Sequence, residues 1–168
     1  MRKIILSVAV SLDGFIEGPN GEYDWCPPPS KNEMESFLDG IDSIFMGRKS
    51  FEMAGASMFP GKACYVFSNS LKKVKGKNTE LVSGNVIEAV QAIKQQQKKN
   101  IWLFGGASLT TTFMNHHLVD EMWLGIVPVV LGQGKALFQN IQQRQHFTVM
   151  ESAVSKGYLS LKLSRGKK

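Results

Sequence analysis

Cysteine is scarce in this chain of 168 residues. Cys26 and Cys64 are the only two, no Cys-x-x-Cys occurs, and no Cys/His cluster has the spacing of a metal site. A disulfide scaffold and a zinc module are thereby excluded. Proline is limited to 6 residues, and the 16 glycines follow no repeat, which excludes collagen-like and low-complexity chains. No apolar run approaches the roughly 20 residues of a membrane span, and the run at 126–131 carries Pro128. Charged residues are only 20% against 43% hydrophobic, so extended disorder is excluded as well. A chain of this length buries about two-thirds of its unfolded surface, and a single domain is expected over residues 1–165. Met1-Arg2-Lys3 leads directly into Ile4-Ile5-Leu6-Ser7-Val8-Ala9-Val10. That run is short for a leader peptide and reads as a buried strand. Two free thiols without an export signal give the expectation of a reducing cytoplasm, with no membrane partner.

What charge there is lies unevenly. The net value is +6, yet residues 1–52 hold five Lys/Arg against nine Asp/Glu, and the excess of cations falls entirely in residues 53–168. A solvated basic face with the tail Ser164-Arg165-Gly166-Lys167-Lys168 is one reading. An anionic ligand such as a phosphorylated cofactor is another. Nucleic acid is not expected, because the basic residues do not interleave with aromatics as a stacking platform requires.

Strand-like and helix-like segments alternate, which predicts an α/β layer fold. Strands are expected at residues 3–10, 43–46, 63–67, 80–82, 101–104 and 121–127. Helices are expected at 31–38, from about Arg48, at 85–97 and at 107–115. Ser30 with Glu33 three residues on has the form of a capping box, and Asn85 can cap the third helix. Segments 147–154 and 157–163 flank Ser155-Lys156 as a hairpin, so the sheet should be mixed.

Three strand ends carry similar punctuation. Ile44-Phe45-Met46 runs into Gly47-Arg48-Lys49-Ser50, Tyr65-Val66-Phe67 into Ser68-Asn69-Ser70, and Trp102-Leu103-Phe104 into Gly105-Gly106-Ala107-Ser108. Open α/β sheets bind ligands beyond the carboxyl ends of their strands. Glycine lets the backbone approach a ligand, and helix starts offer amides to an anion. Arg48 can grip a phosphate through two donors, Lys49 adds a point charge, and Ser68 and Ser70 add hydroxyls. No Gly-x-Gly-x-x-Gly occurs, so this is not the standard dinucleotide fingerprint. No acid is placed at these junctions to grip a ribose 2′-hydroxyl, and a positive pocket would favour NADPH over NADH. Against this stands an ordinary solvated helix start at Arg48-Lys49.

The segment Met46-Gly47-Arg48-Lys49-Ser50 resembles the MGR-x-[ST] stretch of dihydrofolate reductases. Phe59-Pro60-Gly61-Lys62 with Tyr65-Val66-Phe67-Ser68, and the turn Leu103-Phe104-Gly105-Gly106-Ala107-Ser108-Leu109, are similar to two further segments of that family. Ser11-Leu12-Asp13-Gly14-Phe15-Ile16, Asp24-Trp25 and the stretch from Val127 to Phe138 look more like the reductase domain of bacterial riboflavin-biosynthesis deaminase-reductases. The resemblance covers nearly the whole chain. It implies a dihydrofolate-reductase-like three-layer fold, with a mixed, mostly parallel sheet, helices on both faces and a C-terminal antiparallel hairpin. It also implies NADPH-dependent reduction of a C=N or C=O group in a small pterin-like or ribosylaminopyrimidine-like substrate.

By position, Gly47, Arg48, Lys49, Ser50, Ser68, Asn69 and Ser70 would hold the phosphates on the adenosine side. Gly105, Gly106, Ala107, Ser108 and Leu109 would wrap the pyrophosphate, with a cis bond between the two glycines. Ala9 and Ile16 would flank the nicotinamide. The family's pteridine-binding carboxylate, five residues after the tryptophan, is replaced here by Ser30. Asp13 stands as the catalytic candidate, against an Asp-Gly turn residue. Trp25 and Glu33 stand as substrate-binding candidates, against a loop-closing and a capping role. The deaminase zinc signature is absent, so a reductase module by itself is implied. The family resemblance also implies a homodimer, to which residues 123–131 would contribute. His116-His117 reads as a helix end, and Met34, Met46, Met53, Met58 and Met114 as core fillers. A catalytically weak nucleotide- or pterin-binding module remains the alternative.

Overall fold

The computed structural model describes residues 1–55, 57–96, 98–155 and 157–166, the side chain of Ser155 excepted. Gln97, Lys156, Lys167 and Lys168, which the third-helix, hairpin and tail readings include, lie outside them. In chain order the elements are β1 (Ile4–Ser11), β2 (Phe15–Glu17), α1 (Lys31–Asp39), β3 (Ile41–Gly47), α2 (Arg48–Ala54), β4 (Ala63–Phe67) and β5 (Thr79–Val82). There follow α3 (Val86–Gln95), β6 (Asn100–Gly105), α4 (Ala107–Asn115), β7 (Glu121–Val127), β8 (Lys135–Ala136), β9 (Phe147–Ser155) and β10 (Tyr158–Arg165).

Eight strands form one sheet in the order β5-β4-β3-β6-β1-β7-β10-β9. The pairs from β5 through to β7 are parallel, and β10 runs antiparallel to both β7 and β9. The crossovers explain where the helices lie. From β1 to β3 and from β3 to β4 the chain steps toward the β5 edge; from β5 to β6 and from β6 to β7 it steps back. Right-handed connections in opposite directions place their helices on opposite faces. Accordingly Met34, Phe37 and Leu38 of α1 and Phe51 of α2 share one core with Ile5, Ile44, Met46, Val66 and Trp102. Val90 and Ile93 of α3 and Leu109, Phe113 and Met114 of α4 share the other with Leu6, Phe45, Phe67, Ile101 and Leu103. Strands covered on both sides are apolar throughout, which is why Ile44-Phe45-Met46 and Trp102-Leu103-Phe104 show no alternation.

The expected strands and helices are all present, with ends shifted by one or two residues. Ser30 accepts from the Glu33 amide and Glu33 answers to the Ser30 amide, so the capping box forms. Asn85 accepts from the amides of Ile87 and Glu88. The sequence reading missed the two-stranded sheet of β2 and β8, which are three and two residues long and pair across 118 to 121 residues of chain. Two methionines assigned to the core are exposed, Met53 at 62% and Met58 at 53%, because α2 and the turn after it lie over an open cleft. Of residues 123–131, expected at an interface, Leu124 and Val127 are buried, Pro128 and Val130 are exposed and the rest are half-buried, with β7 paired between β1 and β10. No helix among the described residues is long and apolar enough to cross a membrane.

Candidate active site

A cleft of about 1640 Å³ crosses the carboxyl ends of the parallel strands and continues over the antiparallel part of the sheet. The strand ends nominated from sequence all open into it, with Gly47, Arg48, Lys49 and Ser50, Ser68, Asn69 and Ser70, and Gly106, Ala107, Ser108 and Leu109 along its walls. Ala9, Ile16, Trp25 and Glu33 line it too. Asp13 and Gly105 do not.

The cationic end is built by close backbone approach. A Cβ placed on Gly106 would lie 3.8 Å from the Gly47 Cα and 3.4 Å from the Ser50 Oγ, and one on Gly47 would lie 3.8 Å from the Gly105 carbonyl. Gly47 and Gly106 are the N-caps of α2 and α4, and neither helix start receives a side-chain cap, unlike α1 and α3. Two helix starts thus meet with amides left for an anion. Gly105 and Gly106 turn the chain at φ +129° and +95°. The bond between them is trans: no cis peptide occurs among the described residues. Two glycines at positive φ complete this turn without one.

Beside this turn, Arg48 Nη1 donates to Ser70 Oγ at 3.2 Å, and Ser70 Oγ lies 3.2 Å from Ser68 Oγ. The amides of Ser70 and Leu71 donate to Ser68 Oγ at 3.2 and 3.1 Å, which fixes the turn after β4. Asn69 Oδ1 accepts from the Gly84 amide at 3.0 Å, tying that turn to the one after β5. A guanidinium, a neighbouring lysine and two hydroxyls suit a phosphomonoester, and the helix starts suit a pyrophosphate. The donor set therefore fits NADPH.

The other end follows from strand register. Ala9 faces Gly125, Gly125 faces Ser160 and Ser160 faces Ala153, a row of small residues across four strands. The adjoining row is Ser7, Trp123, Lys162 and Glu151. Lys162 Nζ lies 4.7 Å from the centre of the Trp123 ring and 2.8 Å from Glu151 Oε2. The Tyr158 ring rests on Gly125, where a Cβ would meet it at 3.5 Å. The Tyr158 hydroxyl donates to Glu33 Oε2 at 3.2 Å, so the expected substrate-binding carboxylate serves the capping box and also joins β10 to α1. Tyr23, Trp25, Cys26, Pro27 and Pro29 bring the loop after β2 over the cleft. Sequence reasoning did not nominate Glu151, Tyr158, Ser160 or Lys162. Their alternation along β9 and β10 was visible, but the pairing that brings it to the cleft was not.

Asp13 is occupied elsewhere. Its Oδ1 accepts from Ser11 Oγ at 2.7 Å, and its Oδ2 from the amides of Gly132 at 2.7 Å and Leu131 at 3.1 Å. The Ser11 hydroxyl above all, and then those amides, hold its carboxyl below the usual carboxylate range. A carboxylate kept ionised and turned to a neighbouring loop is a latch and a poor proton donor. His117 stands at φ +55° just past α4, with Nδ1 3.1 Å from Arg165 Nη1, and neither His116 nor His117 lines the cleft. Burial pushes the Cys26 thiol up, and that of Cys64 up to about 11, so neither is an activated nucleophile.

This architecture is shared with known proteins. The chain is 44% identical over 158 residues to the uncharacterized protein YyaP of Bacillus subtilis, covering 85% of this chain and 84% of that one. Its fold matches a putative riboflavin biosynthesis protein from Shewanella sp. PV-4 with a TM-score of 0.87 at 24% identity, over 98% of this chain and 99% of the other. It also matches the dihydrofolate reductase of Enterococcus faecalis, solved with NADP(H), with a TM-score of 0.72 at 14% identity, over 98% and 97% of the two chains. The fold is thus dihydrofolate-reductase-like and of a reductase type. The family model for the RibD C-terminal domain matches residues 2–160, nearly the whole sheet, and the chain belongs to that family.

Proposed function

We propose that the protein is an NADPH-dependent reductase that transfers hydride to a C=N or C=O group of a small heterocyclic or carbonyl substrate. The observation that carries this reading is the meeting of Gly47 and Gly106, which brings two helix starts without side-chain caps beside Arg48, Ser68 and Ser70. Arg48 with the two serines would hold the 2′-phosphate, and the start of α4 the pyrophosphate. Ala9 and Ile16 would flank the nicotinamide ring, which supplies the hydride when the coenzyme is bound. The chain's own part is to align that ring with the substrate and, through the loop carrying Tyr23, Trp25 and Pro27, to exclude water. Ser30 is committed to capping α1 and offers no charge to a protonated pteridine, so folate is not the expected substrate.

The test is coenzyme discrimination. Hydrogen bonds to a charged group contribute about 1.5–3 kcal/mol. Arg48→Ala should therefore weaken NADPH binding by roughly ten- to a hundredfold and leave NADH binding unchanged, read by nicotinamide fluorescence titration. Equal affinity of the unmodified protein for NADPH and NADH would remove the 2′-phosphate site.

A further inference from the structure

The two ends of the cleft treat charge differently. At the antiparallel end the charged groups already have partners. Lys162 is held by Glu151, with its ammonium also over the Trp123 ring. Lys135 is paired with Glu17 at the mouth. Glu33 receives Tyr158 and Ser30. An entering phosphate or carboxylate would have to displace Glu151 from Lys162 or lie beside it, and like charges repel. The surface between these pairs is flat and apolar. Ala9, Ser160 and Ala153 keep the floor low, the Tyr158 ring covers Gly125, and Phe37 packs at 5.2 Å from both Trp102 and Trp123 to form an aromatic wall beneath α1. Trp25, another residue of the lining, has a buried indole N–H with no partner, a donor that suits a neutral acceptor.

We infer that this end takes an uncharged, flat, largely apolar heterocycle or carbonyl compound and discriminates against anionic substrates, phosphorylated ribotides included. The inference rests on reading the opposite end as the coenzyme site. It identifies Glu151 as a specificity-determining residue that acts by neutralising Lys162.

A matched pair of probes tests it: quinoxaline, and quinoxaline-2-carboxylate, which adds one negative charge to the same flat ring. Each is titrated into NADP⁺-saturated protein and followed by quenching of tryptophan fluorescence, since Trp25, Trp102 and Trp123 all line the cleft. The neutral probe is expected to bind at least tenfold more tightly. Glu151→Gln, which leaves Lys162 without its carboxylate, should raise affinity for the carboxylate probe about tenfold and leave quinoxaline unchanged. Tighter or equal binding of the carboxylate by the unmodified protein would overturn the inference. So would binding of neither probe, or an unaltered preference in Glu151→Gln. Failure of the protein to take up NADP⁺ in a separate titration would instead defeat the coenzyme reading on which the inference rests.

Discussion

Asp13 shows how one side chain can satisfy a motif and still serve another purpose. Its carboxylate collects the Ser11 hydroxyl and the amides of Leu131 and Gly132, and so joins the turn after β1 to the loop after β7. The folded protein holds this group below its ordinary pKa, chiefly through Ser11. Such a group contributes stability that is fully present above the unfolded value and is lost as pH falls through the lower, folded one. Asp13→Asn should therefore lower the melting temperature at pH 7, and the difference from the unmodified protein should shrink as pH falls below the ordinary carboxylate range, which differential scanning calorimetry across pH would show. The variant should retain coenzyme binding. If it instead kept its stability and lost all turnover, Asp13 would return as the proton donor.

At the scale of elements, the four helices divide by how they begin. Ser30 and Asn85 close the starts of α1 and α3, whereas α2 and α4 begin at Gly47 and Gly106 and leave their first amides to the cleft. Starts that face the cleft stay open, and the starts of α1 and α3 are sealed. Ser30→Ala should cost about 1 kcal/mol, the usual worth of such a cap, and lower the melting temperature by about 2–4 °C for a domain of this size. Urea unfolding measures the loss. Because Glu33 still accepts from the backbone amide at position 30 and from the Tyr158 hydroxyl, quenching by quinoxaline and NADPH binding should both be unchanged.

At the scale of the molecule, the sheet is anchored at its amino edge by a buried cation. Arg2 is 3% exposed and donates to the carbonyls of Lys99 at 2.6 Å and Ile93 at 3.1 Å, to Ser43 Oγ at 2.6 Å and to Asp42. It thereby fastens the start of β1 to β3 and to the end of α3, across the strand β6 that separates β1 from β3. Removing one partner of a buried pair costs about 3–5 kcal/mol, and Asp42, whose side chain is 27% exposed, recovers some water. Arg2→Met should therefore destabilise by about 3 kcal/mol, again by urea unfolding. The loss should not depend on whether NADPH is present at a fixed multiple of its dissociation constant, because the anchor and the cleft lie at opposite ends of the strands.

What could be read from the chain alone was local. The caps at Ser30 and Asn85, the doubly covered runs at Ile44-Phe45-Met46 and Trp102-Leu103-Phe104, and the glycines and hydroxyls that follow them are written within a few neighbouring residues. They located the end of the cleft proposed to take the coenzyme, because a strand end followed by a helix start is a short-range pattern. The β2–β8 ribbon, the hold of Leu131 and Gly132 on Asp13, and the rows that join Ala9 to Gly125, Ser160 and Ala153 depend on pairings across long stretches of chain. A shift of one residue in β7 would turn Trp123, and one in β10 would turn Lys162, to the opposite face. The sequence by itself determined which strand ends carry groups for an anion. Only the tertiary structure, through crossover direction and register, decided which side chains face those strand ends across the cleft and which charges there are already neutralised.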